Sequence, residues 1–137
     1  MPSLAPAASQ SKTRIAEKTR ILLVEDNPKV RNPLVSLLEA WGYEVDSAVD
    51  GVEALQKAAL FGPAVVVSDL RMPRLDGAQL VRELRARNRS LKFILYSGGR
   101  ADENDLAGLE DICFLQKPFD PERLREEILR CLNRLLP

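Results

Sequence analysis

The chain has 137 residues, enough for one buried core, and its 45% apolar and 29% charged residues describe an ordinary globular domain. Lysine plus arginine and aspartate plus glutamate number 20 each, so no basic excess exists to attract nucleic-acid phosphates. Histidine is absent, which excludes Ser-His-Asp hydrolysis, histidine base chemistry and most transition-metal sites, and leaves carboxylates, a hydroxyl and amines to carry any chemistry.

Residues 1–18 are small, polar and basic and lack the apolar segment of a secretion signal, so they read as a disordered tail ahead of a single domain over 19–137. No apolar run approaches the roughly 20 residues of a membrane span, and cytoplasmic residence without membrane contact is expected. Residues 21–24 (ILLV) form a continuous apolar run, as expected of a strand buried on both faces of a parallel sheet. Asn27-Pro28 signals a helix start, yet Pro33 falls inside the same helix, where it costs roughly 3 kcal/mol. Either the helix is bent or it begins at Asn32-Pro33. Trp41, near its end, reads as a packing residue. Residues 43–46 (YEVD) alternate apolar and polar, which suits a half-exposed edge strand.

Asp50 with Glu53 opens the next helix, whose apolar face is Ala54, Leu55, Ala58 and Ala59, and Gly62-Pro63 stops it. A second continuous strand covers 64–67 (AVVV). Asp76 with Gln79 repeats the helix signal, with Leu80, Val81 and Leu84 inward and Arg82, Arg85, Arg87 and Arg89 as a solvated basic face. Strands at 93–96 (FILY) and 112–115 (ICFL) follow. Asp120-Pro121 then opens a last helix carrying Leu124, Ile128, Cys131, Leu132 and Leu135 at three- and four-residue steps. Cys113 and Cys131 read as buried free thiols. A strand–helix alternation repeated five times argues an α/β, doubly wound parallel sheet with helices on both faces. Such sheets bind ligands at the carboxyl ends of their strands.

That rule singles out Glu25-Asp26 after the first strand, Asp69 after the valine-rich one, Ser97 after the next and Lys117-Pro118 after the last. Alone, each could be a cap, turn or solvated loop residue. Together on one rim, the carboxylates would repel unless a cation sat among them, and hard oxygen donors suit Mg²⁺. The hydroxyl and ammonium would complete a site for phosphoryl oxygens.

The stretches ILLVEDNPKVR, VVVSDLRMPRLDG, ILYSGG and FLQKPF resemble those of response-regulator receiver domains of two-component systems, the CheY-like superfamily, over residues 20–136. The resemblance implies a five-stranded flavodoxin-like sheet of order 2-1-3-4-5. It implies that Asp69 accepts a phosphoryl group from a phosphohistidine of a sensor histidine kinase. Asp26 would ligate Mg²⁺ directly, Glu25 through a metal-bound water, and Arg71 through its main-chain carbonyl. Ser97 would be the switch hydroxyl, Lys117 the phosphoryl partner and Phe114 the switch aromatic. Asp76-Gly77 would open the third helix, and Lys117-Pro118 would be a cis peptide. The partners implied are the kinase and a downstream effector or fused output domain, with homodimerisation allowed and no direct nucleic-acid binding. Such a domain is not an enzyme beyond catalysing its own phosphorylation and dephosphorylation.

Two features depart from that pattern. The segment RADENDLAGLED is short, so a fourth helix there should be short or irregular, and Phe114 lacks a tyrosine hydroxyl. Three other readings are open to the same residues. A haloacid-dehalogenase-like phosphatase wants an Asp two residues beyond its nucleophile, where Arg71 stands, and its acidic pair comes late rather than first. A pseudo-receiver would act by contacts alone. A nucleotide-binding module lacks its glycine-rich loop after the first strand.

Overall fold

The computed structural model of the chain describes residues 18–98, 106 and 108–133. Five strands, β1 (Arg20–Val24), β2 (Glu44–Ala48), β3 (Val65–Asp69), β4 (Lys92–Ser97) and β5 (Ile112–Gln116), form one sheet in the order β2-β1-β3-β4-β5. Every pairing is parallel. Among the described residues there are four helices: α1 (Pro28–Ala40), α2 (Gly51–Phe61), α3 (Gly77–Arg87) and α4 (Pro121–Asn133). This is the doubly wound order expected from the sequence. Among these residues no helix is long and apolar enough to cross a membrane.

The continuous apolar strands are buried on both faces because helices cover both. On one face, Leu22, Val24, Val66, Phe93 and Leu95 pack with Ala54 of α2 and Leu80, Val81 and Leu84 of α3. On the other, Ile21, Leu23, Val65, Val67, Ile94 and Tyr96 pack with Leu38 of α1 and Leu124, Ile128 and Cys131 of α4. Strand β2, at the sheet edge, is half-exposed as its alternation required, though it runs slightly later than 43–46.

Local chemistry sets the helix ends. Asn27 caps α1 by accepting from the Lys29 N–H, so the helix begins at the earlier of its two alternative starts and Pro33 lies within it. Pro33 and Lys29 are both exposed, so the carbonyl that loses its i+4 donor is available to water. Asp50 caps α2 through the Glu53 N–H, and Gly62 closes it in the left-handed conformation at φ 64°. Asp76 and Gln79 form a complete capping box at α3. A Cβ on Gly77 would stand 2.8 Å from the Asp69 carbonyl oxygen, so only glycine lets α3 start this close to β3.

Three expectations need revision. Arg85 does not belong to a solvated basic face: its guanidinium lies 5.2 Å over the Phe93 ring and donates to the Glu110 and Asp111 carbonyls. Arg89 lies beyond the end of α3. Both cysteines are free, but only Cys131 is buried; Cys113 is half-buried. The tail, apart from Lys18, lies outside the described residues, as do residues 99–105 and 107 of the expected short helix and Leu135 of the last one.

Candidate functional site

Parallel register brings the ends of β1, β3, β4 and β5 to one rim. Asp69 pairs with Tyr96, and Ser97 with Gln116. Backbone bonds continue past the strand ends: the Glu25 N–H donates to Ala48 at 2.9 Å, the Leu70 N–H to Tyr96 at 2.8 Å and the Lys117 N–H to Ser97 at 2.7 Å. The residues bearing the candidate groups are therefore fixed by the sheet rather than carried on free loops.

Carboxylate oxygens of Glu25, Asp26 and Asp69 lie within 4.8 Å of one another. Glu25 is 1% exposed and Asp69 8%, while Asp26 is open to solvent. The Lys117 ammonium stands 3.8 Å from Asp69 Oδ2 and 3.9 Å from Glu25 Oε1. The Arg71 N–H donates to Asp69 Oδ1 at 3.1 Å, and Lys117-Pro118 is cis. Burial pushes the Asp69 carboxyl above its ordinary value and the Asp26 charge adds to this, against the Arg71 N–H and Lys117. Burial likewise raises Glu25, with Asp69 adding repulsion and the bonds from Tyr96 and Asn27 opposing it. A hard, all-oxygen donor set with one solvent-open member, carrying more negative charge than one lysine offsets, fits a small divalent cation that keeps some of its waters.

Ser97 is buried at the end of β4, and its carbonyl anchors the backbone of Lys117. Phe114 is half-buried against the core layer that α2 and α3 cover. Two further contributors were not singled out from sequence. Arg31 of α1 donates to the Glu25 carbonyl at 3.0 Å and the Asp26 carbonyl at 3.3 Å, bracing the acidic turn. Tyr96, fully buried, donates its hydroxyl to Glu25 Oε1 at 2.6 Å. A tyrosine ending an otherwise apolar buried strand was the available signal, since a buried phenol needs a partner.

Fold and rim together define a class: doubly wound α/β domains whose polar groups gather around an aspartate ending the central strand. The chain belongs to the response regulator receiver domain family, whose model matches residues 21–129. It is 38% identical over 120 residues to the response regulator MprA of Mycobacterium leprae, covering 86% of this chain and 53% of that protein. It is 37% identical over 139 residues to the sensor kinase CckA of Brucella abortus, covering 95% of this chain but 15% of that one. The chain thus spans about half or less of the length of these relatives. Among solved structures, the chemotaxis protein CheY4 of Vibrio cholerae superposes with a TM-score of 0.78 at 28% identity, covering 84% of this chain and 99% of that one. The receiver domain of the hybrid histidine kinase CckA gives 0.71 at 35% identity, covering 82% and 98%.

Proposed function

We propose that this receiver domain takes a phosphoryl group onto Asp69 from a sensor histidine kinase, with Mg²⁺, and passes the signal on by changing conformation. The observation that carries the reading is the buried Asp69 carboxylate beside two further carboxylates and the Lys117 ammonium. Glu25, Asp26, Asp69 and the Arg71 carbonyl would hold the cation. Bound there, Mg²⁺ would offset the acids and the charge on the incoming phosphoryl oxygens.

An Asp69 oxygen attacks phosphorus as the bond to the donor's histidine nitrogen breaks, giving an acyl phosphate and a neutral histidine. The Arg71 N–H fixes the other Asp69 oxygen and so presents the nucleophile in one orientation. Lys117 pairs with the new phosphoryl oxygens. The Ser97 hydroxyl then turns towards them, and the half-buried Phe114 moves into the space released. An apolar groove of about 480 Å³, lined by Val30, Leu34, Leu37, Pro118 and Phe119, adjoins Lys117. A helical face of the kinase seated there would deliver its phosphohistidine to the pocket. The setting is cytoplasmic, and the output is a separate effector or a fused domain.

Mass spectrometry after incubation with acetyl phosphate tests the reading. One phosphoryl adduct that requires Mg²⁺ and disappears in Asp69→Asn is expected. An equal adduct in Asp69→Asn would overturn it, and rapid turnover of p-nitrophenyl phosphate would favour a phosphatase instead.

A further inference from the structure

We infer that Tyr96 is a positioning residue for this pocket: its hydroxyl sets the Glu25 carboxylate and its ring seats the Lys117 ammonium. The inference deepens the metal-assisted phosphoacceptor reading and rests on it.

Glu25 is held at both oxygens. Oε1 accepts from the Tyr96 hydroxyl at 2.6 Å and Oε2 from the Asn27 N–H at 3.0 Å. Two donors on opposite oxygens fix the plane of the carboxylate. Without them, repulsion from Asp69 and Asp26 would favour rotation of Glu25 away from the cluster. Short bonds to a charged acceptor are among the stronger ones. A phenol is protonated at neutral pH, so the Tyr96 hydroxyl donates to the carboxylate.

The ring does separate work. Lys117 Nζ lies 4.9 Å from its centroid, within cation–π range. Phe119 packs on the same ring at 5.6 Å, tilted by 59°. The ammonium thus rests on Tyr96 while it faces Asp69 and Glu25. Filling the core needs only the ring, and a phenylalanine would do that as well; among the described residues the hydroxyl's hydrogen bond goes to Glu25. Groups that orient a metal ligand typically change metal affinity ten- to a hundredfold when removed.

Tyr96→Phe separates the two roles, because it deletes the donor and keeps the ring. Calorimetric titration of the full chain with MgCl₂ should show half-saturation rising roughly tenfold in Tyr96→Phe, with an unchanged far-ultraviolet dichroism spectrum. Glu25→Ala should weaken binding too, and adding Tyr96→Phe to it should change half-saturation less than twofold. In the unsubstituted protein, the Tyr96 ring carbon bearing the hydroxyl should shift in the NMR spectrum along the same Mg²⁺ titration curve. Unchanged affinity in Tyr96→Phe, an equal loss in the Glu25→Ala background, or a motionless carbon signal overturns the inference and leaves the functional reading intact. An unsubstituted protein that binds no Mg²⁺ overturns both.

Discussion

Replacing Asp69 with Asn should stabilise the metal-free protein, although it removes the proposed phosphoacceptor. Asp69 lies within 4.8 Å of both Glu25 and Asp26, oxygen to oxygen. At that separation, an effective dielectric of about 20 gives roughly 3.5 kcal/mol of repulsion with buried Glu25, and a value nearer water gives about 1 kcal/mol with exposed Asp26. The opposing attraction to Lys117 acts at 3.8 Å, but the lysine side chain is 29% exposed. An intermediate dielectric of about 40 puts it near 2 kcal/mol. The balance favours the neutral amide by about 2–3 kcal/mol, since asparagine keeps the shape and an oxygen for the Arg71 N–H. Urea unfolding in EDTA, followed by the fluorescence of the sole tryptophan, Trp41, should show a higher midpoint with unchanged slope. Adding Mg²⁺ should stabilise the unsubstituted protein more than the variant and narrow the gap, because a ligand stabilises in proportion to its affinity for the folded state. A variant less stable than its parent in EDTA would refute the picture of a charge-crowded pocket.

Three other perturbations follow from the same structure. Burial works to raise the Glu127 carboxyl, but the Cys113 thiol, Arg123 and Arg130 outweigh it and hold the group below its ordinary value of 4.5. Its stabilising contribution is therefore present above that value and lost as pH falls through the lower folded value, so the stability gap to Glu127→Gln in urea titrations should shrink between about pH 7 and pH 3. Gly77→Ala places a Cβ 2.8 Å from the Asp69 carbonyl and 2.9 Å from the Leu70 Cα; calorimetric unfolding should show a loss of roughly 1–3 kcal/mol, and acetyl phosphate should label Asp69 more slowly. Asp50→Ala removes the α2 cap and the partner of Arg74, and should cost about 1 kcal/mol or slightly more by urea unfolding.

The parts of this fold that rest on local rules could be read directly. Residues 21–24 and 64–67 are apolar without interruption because helices cover both sides of the sheet, and that pattern announced parallel strands. Asp50 with Glu53 and Asp76 with Gln79 marked helix starts because the capping bonds are local. The convergence of Glu25, Asp26, Asp69 and Lys117 was legible once the sheet was taken as parallel, since each ends or follows a strand. What depends on tertiary register was not. Arg85 sits in a basic-looking stretch of α3, and only the approach of the turn before β5 gives it the Glu110 and Asp111 carbonyls. Tyr96 reads as one more apolar strand residue until β4 places its hydroxyl beneath Glu25, 71 positions away in the chain. The start of α1 stayed ambiguous because Asn27-Pro28 and Asn32-Pro33 carry the same signal, and the exposed face at Pro33 is what allows the longer helix.

A crystal structure with Mn²⁺ in place of Mg²⁺, located by its anomalous scattering, tests the central claim most directly. One strong peak should lie among Asp26, Asp69 and the Arg71 carbonyl, with Glu25 reaching it through water. A protein that shows no peak there, or binds the ion only at surface carboxylates elsewhere, would contradict the account.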